Sequence, residues 1–463
     1  MAENSISLRA HAVAIWQAAV QAVRADDLVI AALADPASQL REMARMAPRI
    51  LVVGAGKAGA AMSAGLEKAL ADSLGKVEGI VNVPAEVVRP LQAIRLHPAR
   101  PAGTNQPTQQ GMAGTLAILN LVASAGPDDV CICLLSGGGS ALLPAPVDGV
   151  SLEDKQQVTR VLHASGATIN EMNAVRKHLS RSKGGRLAEA FKGCALFSLI
   201  ISDVVGDPLD VIASGPTAAD PTTFADALAV LDKYDLVAGK TGQPLPQQVP
   251  AGVVRYLQEG AAGRHPETLK VLPTTVHNRV IGNNAMALAA ATRKAEALGY
   301  QVLDLGPHIE GETRDVATAM AGLVRSIRND GKPVRPPACI LSGGETTVTL
   351  GPHHGLGGRN QEFVLAAAAS LGKTELMDAI VLSGGTDGED GPTDAAGAIA
   401  DSATLTRAEK EQLAPSDYLA RHDAYHFFEK TGDLLKCGLT QTNVMDVRVI
   451  LVHQPTCFET GAK

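Results

Sequence analysis

Residues 51–62 read LVVGAGKAGAAM. The stretch decides the fold because it joins three signals. An apolar run ends at Val53, Gly54, Gly56 and Gly59 spell G-x-G-x-x-G, and an alanine-rich stretch with helical character follows. A short strand feeding a glycine turn and then a helix is the opening unit of a Rossmann-like α/β domain. Lys57 lies inside the turn, at the mouth of the helix, where the helix dipole disfavours a cation. An anion shared between Lys57 and the turn amides, with Gly54 and Gly56 keeping the approach open, accounts for it. The sequence contains no G-x-x-x-x-G-K-[ST], so this is not a Walker A loop.

Working outward, short apolar runs alternate with helical patterns along most of the chain. CICLLSGG (131–138), ALFSLIISD (195–203), KVLPTTV (270–276), YQVLDLG (300–306), ACILSGG (338–344), DAIVLSGG (378–385) and VRVILV (447–452) read as strands. Several are apolar throughout, as strands covered on both faces are. The expectation is an α/β protein with largely parallel sheets. At 463 residues the chain exceeds the usual size of one core. Gly, Pro and Gln crowd residues 238–262, which places a boundary there, between a domain of residues 1–245 and one of residues 246–463.

Composition narrows the function. Lys and Arg number 41 against 48 Asp and Glu, a formal charge of -7 with no basic block, which argues against nucleic acid and anionic membranes as partners. The six cysteines are scattered without a C-x-x-C pair, which points to a reducing cytoplasm rather than a disulfide framework or zinc site. The N-terminal stretch carries Glu3, Asp26 and Asp27 and reads as an amphipathic helix, not a signal peptide. The longest uncharged stretch, residues 130–147, is broken by SGGGS and two prolines, so a spanning helix is not expected. The oligomeric state is left open, a homo-oligomer included.

Three of the apolar runs end in the same tripeptide, with serines at 136, 342 and 383. Ligands of open parallel sheets bind beyond the carboxyl ends of strands, where glycines let backbone N–H groups approach an anion. Ser136, Gly137, Gly138, Gly139 and Ser140 are therefore candidate anion-binding residues. A nicotinamide cofactor needs an acid about 20 residues on, at the end of the second strand, to hold the ribose. That strand, VEGIVNVP (77–84), ends in Asn82 and Pro84, which counts against a dinucleotide.

Other clusters carry charge. Asp203, Asp207 and Asp210 follow ALFSLII and suit a divalent cation or a general base. Arg176, Lys177, His178, Arg181, Lys183 and Arg186 form a local basic patch in an acidic chain. In GLGGRNQE (355–362), Arg359 stands at a helix start, a second cation where the dipole disfavours one, and could stabilise a transferring phosphoryl group. Asp387, Glu389, Asp390 and Asp394 crowd SGGTDGEDGPTDAAG, and Thr442, Asn443 and Asp446 precede the last strand.

Taken together, VGAGKAG, HPARP, SGGGSALL, NAVRKHLSRSKGGRLA, SDVVGDPLDVIASGPT, SGGETTVTL, GLGGRNQE, SGGTDGEDGPTDAAG and TQTNVMD, in this order, resemble the class II glycerate 2-kinase family. The resemblance implies a two-domain α/β fold with a MOFRL-type region at residues 336–450 and an active site in the cleft between domains. It implies ATP-dependent phosphorylation of D-glycerate to 2-phosphoglycerate with Mg²⁺. The family's functional positions match Lys57, Asp203, Asp207, Glu345, Arg359, Asp387 and Asn443. On this reading Lys57 and Arg359 face the phosphoryl oxygens and the substrate carboxylate. Asp203, Asp207 or Asp387 holds the metal, and one of them accepts the hydroxyl proton. Asn173, Arg176 and Lys177, within NAVRKHLSRSKGGRLA, join the substrate- and phosphate-binding set. Some family members bear the name hydroxypyruvate reductase, so NAD(P)H-dependent reduction is the alternative.

Overall fold

The computed structural model describes residues 2–101, 106–237 and 248–454. The chain folds into two compact units, one of Ala25–Ile281 and one joining Met1–Arg24 to Gly282–Lys463.

The first unit is built on β1 (Ile50–Ala55), β2 (Val77–Pro84), β3 (Ile94–Arg100), β4 (Val130–Leu135), β5 (Ala195–Ile201) and β6 (Val276–Gly282), in the order β3-β2-β1-β4-β5-β6. β1 pairs with β2 and β4, β2 with β3 and β4 with β5, all parallel. The order reverses between β1 and β4, which makes their carboxyl ends the switch point where such sheets bind ligands. β1, β4 and β5 are buried along their whole length. Leu51, Val53, Leu135, Leu196 and Ile200 pack there against Ile118, Val122 and Phe191. Cys131 and Cys133 serve as small apolar side chains in that core, and burial pushes the Cys133 thiol up to about 12. KVLPTTV is not a strand. The sixth strand starts where that run ends, and its residues alternate between partly buried and exposed, as an edge strand does.

Residues 251–281 also belong to this unit, which separates the fold from a single division at 245/246. That position itself lies outside the described residues. The helix Ala251–Ala261 packs beside the helix Phe224–Lys233 through Val253 and Leu257, and Gly260 has the Phe224 ring where a Cβ would stand. With the helices Leu152–Ala164 and Ile169–His178 these form a second apolar cluster.

The second unit contains β7 (Gln301–Asp304), β8 (Gly311–Glu312), β9 (Ala338–Ser342), β10 (Thr346–Thr347), β11 (Ala379–Gly385), β12 (Gly397–Ala400), β13 (Leu434–Leu435) and β14 (Asp446–Val452). Its main sheet runs β13-β12-β11-β14-β9-β7, and β8 pairs with β10. Within the main sheet, among the described residues, only β7 and β9 pair in parallel and the other neighbours are antiparallel, while the short β8–β10 pair is parallel. The expectation of largely parallel sheets therefore holds for the first unit and not for the second. β11 and β14 are buried on both faces, so their apolar runs carry no sign of direction. The helix Arg359–Glu375 lies in the core of this unit, with Phe363, Val364 and Leu371 against Val381, Ala398 and Ile450. The N-terminal helix Ala2–Ala22 belongs here too. Trp16, 2 % exposed, donates its indole N–H to Gly384 O at 3.2 Å.

Candidate active site

The glycine turn after β1 is closed by the protein itself. Gly56 N–H donates to Asn82 O (3.2 Å), Lys57 N–H to Gly137 O (2.8 Å), Ala58 N–H to Ser136 Oγ (3.1 Å) and Gly59 N–H to Gly56 O (3.1 Å). Gly54 and Gly56 are required for packing: a Cβ on either would stand 2.0 Å from Leu134 O or Ser136 Oγ. The N–H groups of residues 56–59 are thus bonded within the protein, and the two glycines serve the close packing of the turn. Asn82, at the tip of β2, is fully buried and donates to Leu142 O (2.7 Å), Gly111 O and Thr115 Oγ1. It faces the interior and offers no ribose partner.

What the turn does is hold Lys57 against the loop that follows β4. A Cβ on Gly138, whose φ is +74°, would lie 3.6 Å from Lys57 Cγ and 3.8 Å from Arg100 Nη2. Two residues on, Ser140 Oγ is a hydrogen-bond hub. It accepts from Arg176 Nη2 and from Lys183 Nζ (2.6 Å), and it lies 2.9 Å from Ser214 Oγ, which donates to Asn173 Oδ1 (3.1 Å). Lys57, Asn173, Arg176 and Ser136–Ser140 thus converge at the carboxyl edge of one sheet. Lys177 does not join them. It is 1 % exposed and bridges Asp210 (2.9 Å) and Asp220 (3.2 Å). Burial raises the Asp220 carboxyl, but Lys177 and the bonds from Thr222 and Thr268 outweigh it and hold it below the usual range. Lys177 is a structural cation with both partners supplied.

Asp203 and Asp207 stand half-buried just past β5, and Asp207 takes a left-handed backbone, φ +55°. Among the described residues, no group of three or more His, Cys, Asp or Glu is placed to hold a metal ion by itself.

In the second unit Arg359 opens its helix within a buried polar network. Its Nε and Nη2 donate to the two Asp446 oxygens (2.7 and 3.0 Å), and Nη1 pairs with Glu345 (2.9 Å). Burial works against the Arg359 charge, and Asp446 with Glu345 and Asp390 more than restores it, holding the guanidinium above its usual value. The Asp446 carboxyl is likewise raised by burial and lowered further by Arg359, Arg448 and Asn360, ending below its usual range. Asp390 supplies the negative charge at the helix start. Its oxygens accept the backbone N–H groups of Asn360 (3.0 Å) and Gln361 (2.8 Å). Gly358 must lack a side chain here, since its Cβ would meet Asp390 Cγ at 2.3 Å. Burial pushes Asp390 up to about 7 despite those bonds. Asn443 Oδ1 accepts from Met445 N–H and Asp387 Oδ1 from Glu389 N–H, both at 3.1 Å. All three SGG tripeptides stand at the carboxyl ends of strands: Ser136 follows β4, Ser342 closes β9, and Ser383, Gly384 and Gly385 are the last three residues of β11.

Comparisons with known proteins decide the family. A model for a domain of unknown function, DUF4147, matches residues 11–246, and the MOFRL family matches residues 338–446. The chain is 37% identical over 404 residues to the glycerate 2-kinase of Pyrococcus horikoshii, covering 87% of each chain. It is 36% identical over 510 residues to the glycerate kinase of Homo sapiens, covering 97% of this chain and 94% of that one. It is similar to the crystal structure of glycerate kinase from Thermotoga maritima, with TM-score 0.81 and 34% identity over 96% of this chain and 99% of that one. The chain belongs to the glycerate kinase family.

A protein of Agrobacterium vitis with a provisional hydroxypyruvate reductase name is 43% identical over 411 residues, 87% of each chain. Four polar residues of this glycerate kinase family member escaped the site assignment made from sequence: Arg100, Lys155, Lys183 and Asp446. Lys183 and Asp446 belonged to visible charge clusters. Lys155 gave no signal, since one lysine on the amphipathic helix Leu152–Ala164 reads as a solvated residue.

Proposed function

We propose that this protein transfers the terminal phosphoryl group of ATP to D-glycerate, at the 2-hydroxyl, giving 2-phosphoglycerate, with Mg²⁺ bound. Family membership supports the reaction class. The observation that carries the reading is the cationic carboxyl edge of the first sheet. An acidic chain brings Lys57, Arg100 and Arg176 to the loop Gly138–Ser140 at the switch point. Phosphoryl transfer asks the protein for positioning and for compensation of oxygen charge more than for covalent chemistry. Lys57 supplies a fixed point charge to phosphoryl oxygens, held in place because its own backbone N–H is bonded to Gly137.

Mg²⁺ is ordinarily held by one or two carboxylates, phosphate oxygens and water rather than by a full protein cage. The half-buried pair Asp203 and Asp207 fits that pattern. The ion would neutralise phosphate charge there. One of these aspartates accepts the proton of the attacking hydroxyl. Arg359 acts through its third contact. Asp446 fixes the plane of the guanidinium, while Glu345, 46% exposed, is the partner that an anionic ligand can replace at Nη1. Asn443 completes the set.

A coupled assay tests the proposal. ADP release should depend on D-glycerate, with no loss of NADH in the presence of hydroxypyruvate. The reverse pattern would overturn it.

A further inference from the structure

Lys155, Arg176 and Lys183 are three cations gathered inside the first unit. Lys155 lies on the helix Leu152–Ala164, Arg176 on Ile169–His178 and Lys183 just beyond it. Lys155 is 8 % exposed and Lys183 2 %, while Arg176 is half-buried. Arg176 donates to Ser140 Oγ and Asn173 Oδ1 (3.5 Å), and Lys183 donates to Ser140 O (2.7 Å) and Oγ (2.6 Å). Lys155 Nζ is buried with no hydrogen-bond partner. Among the described residues, no carboxylate bonds to any of the three. Lys177, next to Arg176 in sequence, shows what this fold does with a structural cation: it supplies Asp210 and Asp220. Burial, with Arg176 and Arg186 adding, brings Lys155 down to about 7, and burial with Arg176 and Lys155 holds Lys183 well below its usual value. Unpaired buried cations destabilise a fold. Two on one hydroxyl with a third close behind, at the switch point of a sheet, call for an anion from outside the protein.

We propose that Arg176 and Lys183, gathered on Ser140, form with the neighbouring Lys155 an oxyanion-binding site for a compact anionic group of the ligand. That group is the carboxylate of a small hydroxy acid or a phosphate of a nucleotide. Ser140 and Arg176, both half-buried, make the contact. The two lysines stand behind them and supply charge. Ser214 and Asn173 hold the Ser140 hydroxyl in place. Only the choice between the two ligands rests on the kinase reading.

The test uses the full chain and the substitutions Lys155→Met and Lys183→Met, which keep an apolar stem and remove the charge. Calorimetric titrations are run with inorganic phosphate, with D-glycerate, and with ADP in the absence of metal. Each substitution should weaken phosphate about tenfold or more, the loss expected when one charge a few ångströms behind a partly buried anion is removed. It should weaken one of the two substrates equally. A change in the D-glycerate arm identifies the carboxylate, and a change in the ADP arm identifies the phosphate. Both variants should melt at or above the wild-type temperature, which loss of a structural contact would not produce. Should either variant fail to fold, Ser140→Ala serves in its place, since it keeps all three cations and removes the contact hydroxyl. Wild-type affinity for all three ligands in the folded variants overturns the site. Phosphate binding that depends on the lysines, with neither substrate bound, upholds the site and removes the kinase reading instead.

Discussion

Lys57 and Lys177 lie in the same unit and differ in what surrounds them. Lys177 is enclosed by Asp210 and Asp220, so Lys177→Ala leaves buried Asp220 uncompensated. It should cost about 3–5 kcal/mol of stability, read by urea denaturation. Lys57→Ala should instead leave the melting temperature near wild type and lower kcat/KM by about 10²-fold or more, as expected for removal of a preorganised charge. Equal stability loss in both variants would show that Lys57 is structural too. The sequence showed Lys57 because a cation at a helix mouth is conspicuous beside a glycine turn. It could not separate Arg176 from Lys177, adjacent in one basic run, because only the packing of Asp210 and Asp220 against one of them decides which is neutralised. Lys155 was illegible for the same reason: only the fold brings it beside Arg176 and Lys183.

Among the elements, the helix Arg359–Glu375 shows how local rules and tertiary packing trade places. A cation at its first position is tolerated because Asp390 answers the helix N-terminus and Asp446 takes Nε and Nη2 of the guanidinium, leaving Nη1 on the exposed Glu345. Asp390 has a folded value of about 7 against an ordinary 3.8, so the native state binds more protons than the unfolded state between those values. Stability from this group is therefore present below about pH 4 and is lost as pH rises through about 7. Asp390→Asn should flatten the fall in stability between pH 4 and 7, measured by urea midpoints across that range. An unchanged slope would place the titration elsewhere. The strand patterns were legible where both faces are covered, as in β1, β4 and β11, but direction was not. A buried antiparallel strand such as β14 has no polar face to betray it. The edge strand β6, with His277 and Arg279 alternating outward, was missed in favour of the apolar run before it.

Across the whole molecule, the N-terminal helix is the element whose placement sequence order conceals. It begins the chain yet packs on β11 and β14 of the second unit, with Trp16 over Gly384. Trp16→Ala should destabilise that unit by about 3–5 kcal/mol, the usual cost of removing a buried Trp, seen as an earlier circular-dichroism transition. A transition at the wild-type position would separate the helix from the second core. The two α/β units and their motifs were readable from the chain, while the division into Ala25–Ile281 and the rest was not, because it depends on contacts between residues far apart in sequence. The account's central claim is chemical, and phosphorus NMR tests it most directly. Incubation of the protein with ATP, Mg²⁺ and D-glycerate should give ADP and a phosphomonoester resonance coupled to the C2 proton of glycerate. Phosphate on the 3-hydroxyl would contradict the assigned position, and no transfer to glycerate at all would contradict the account itself.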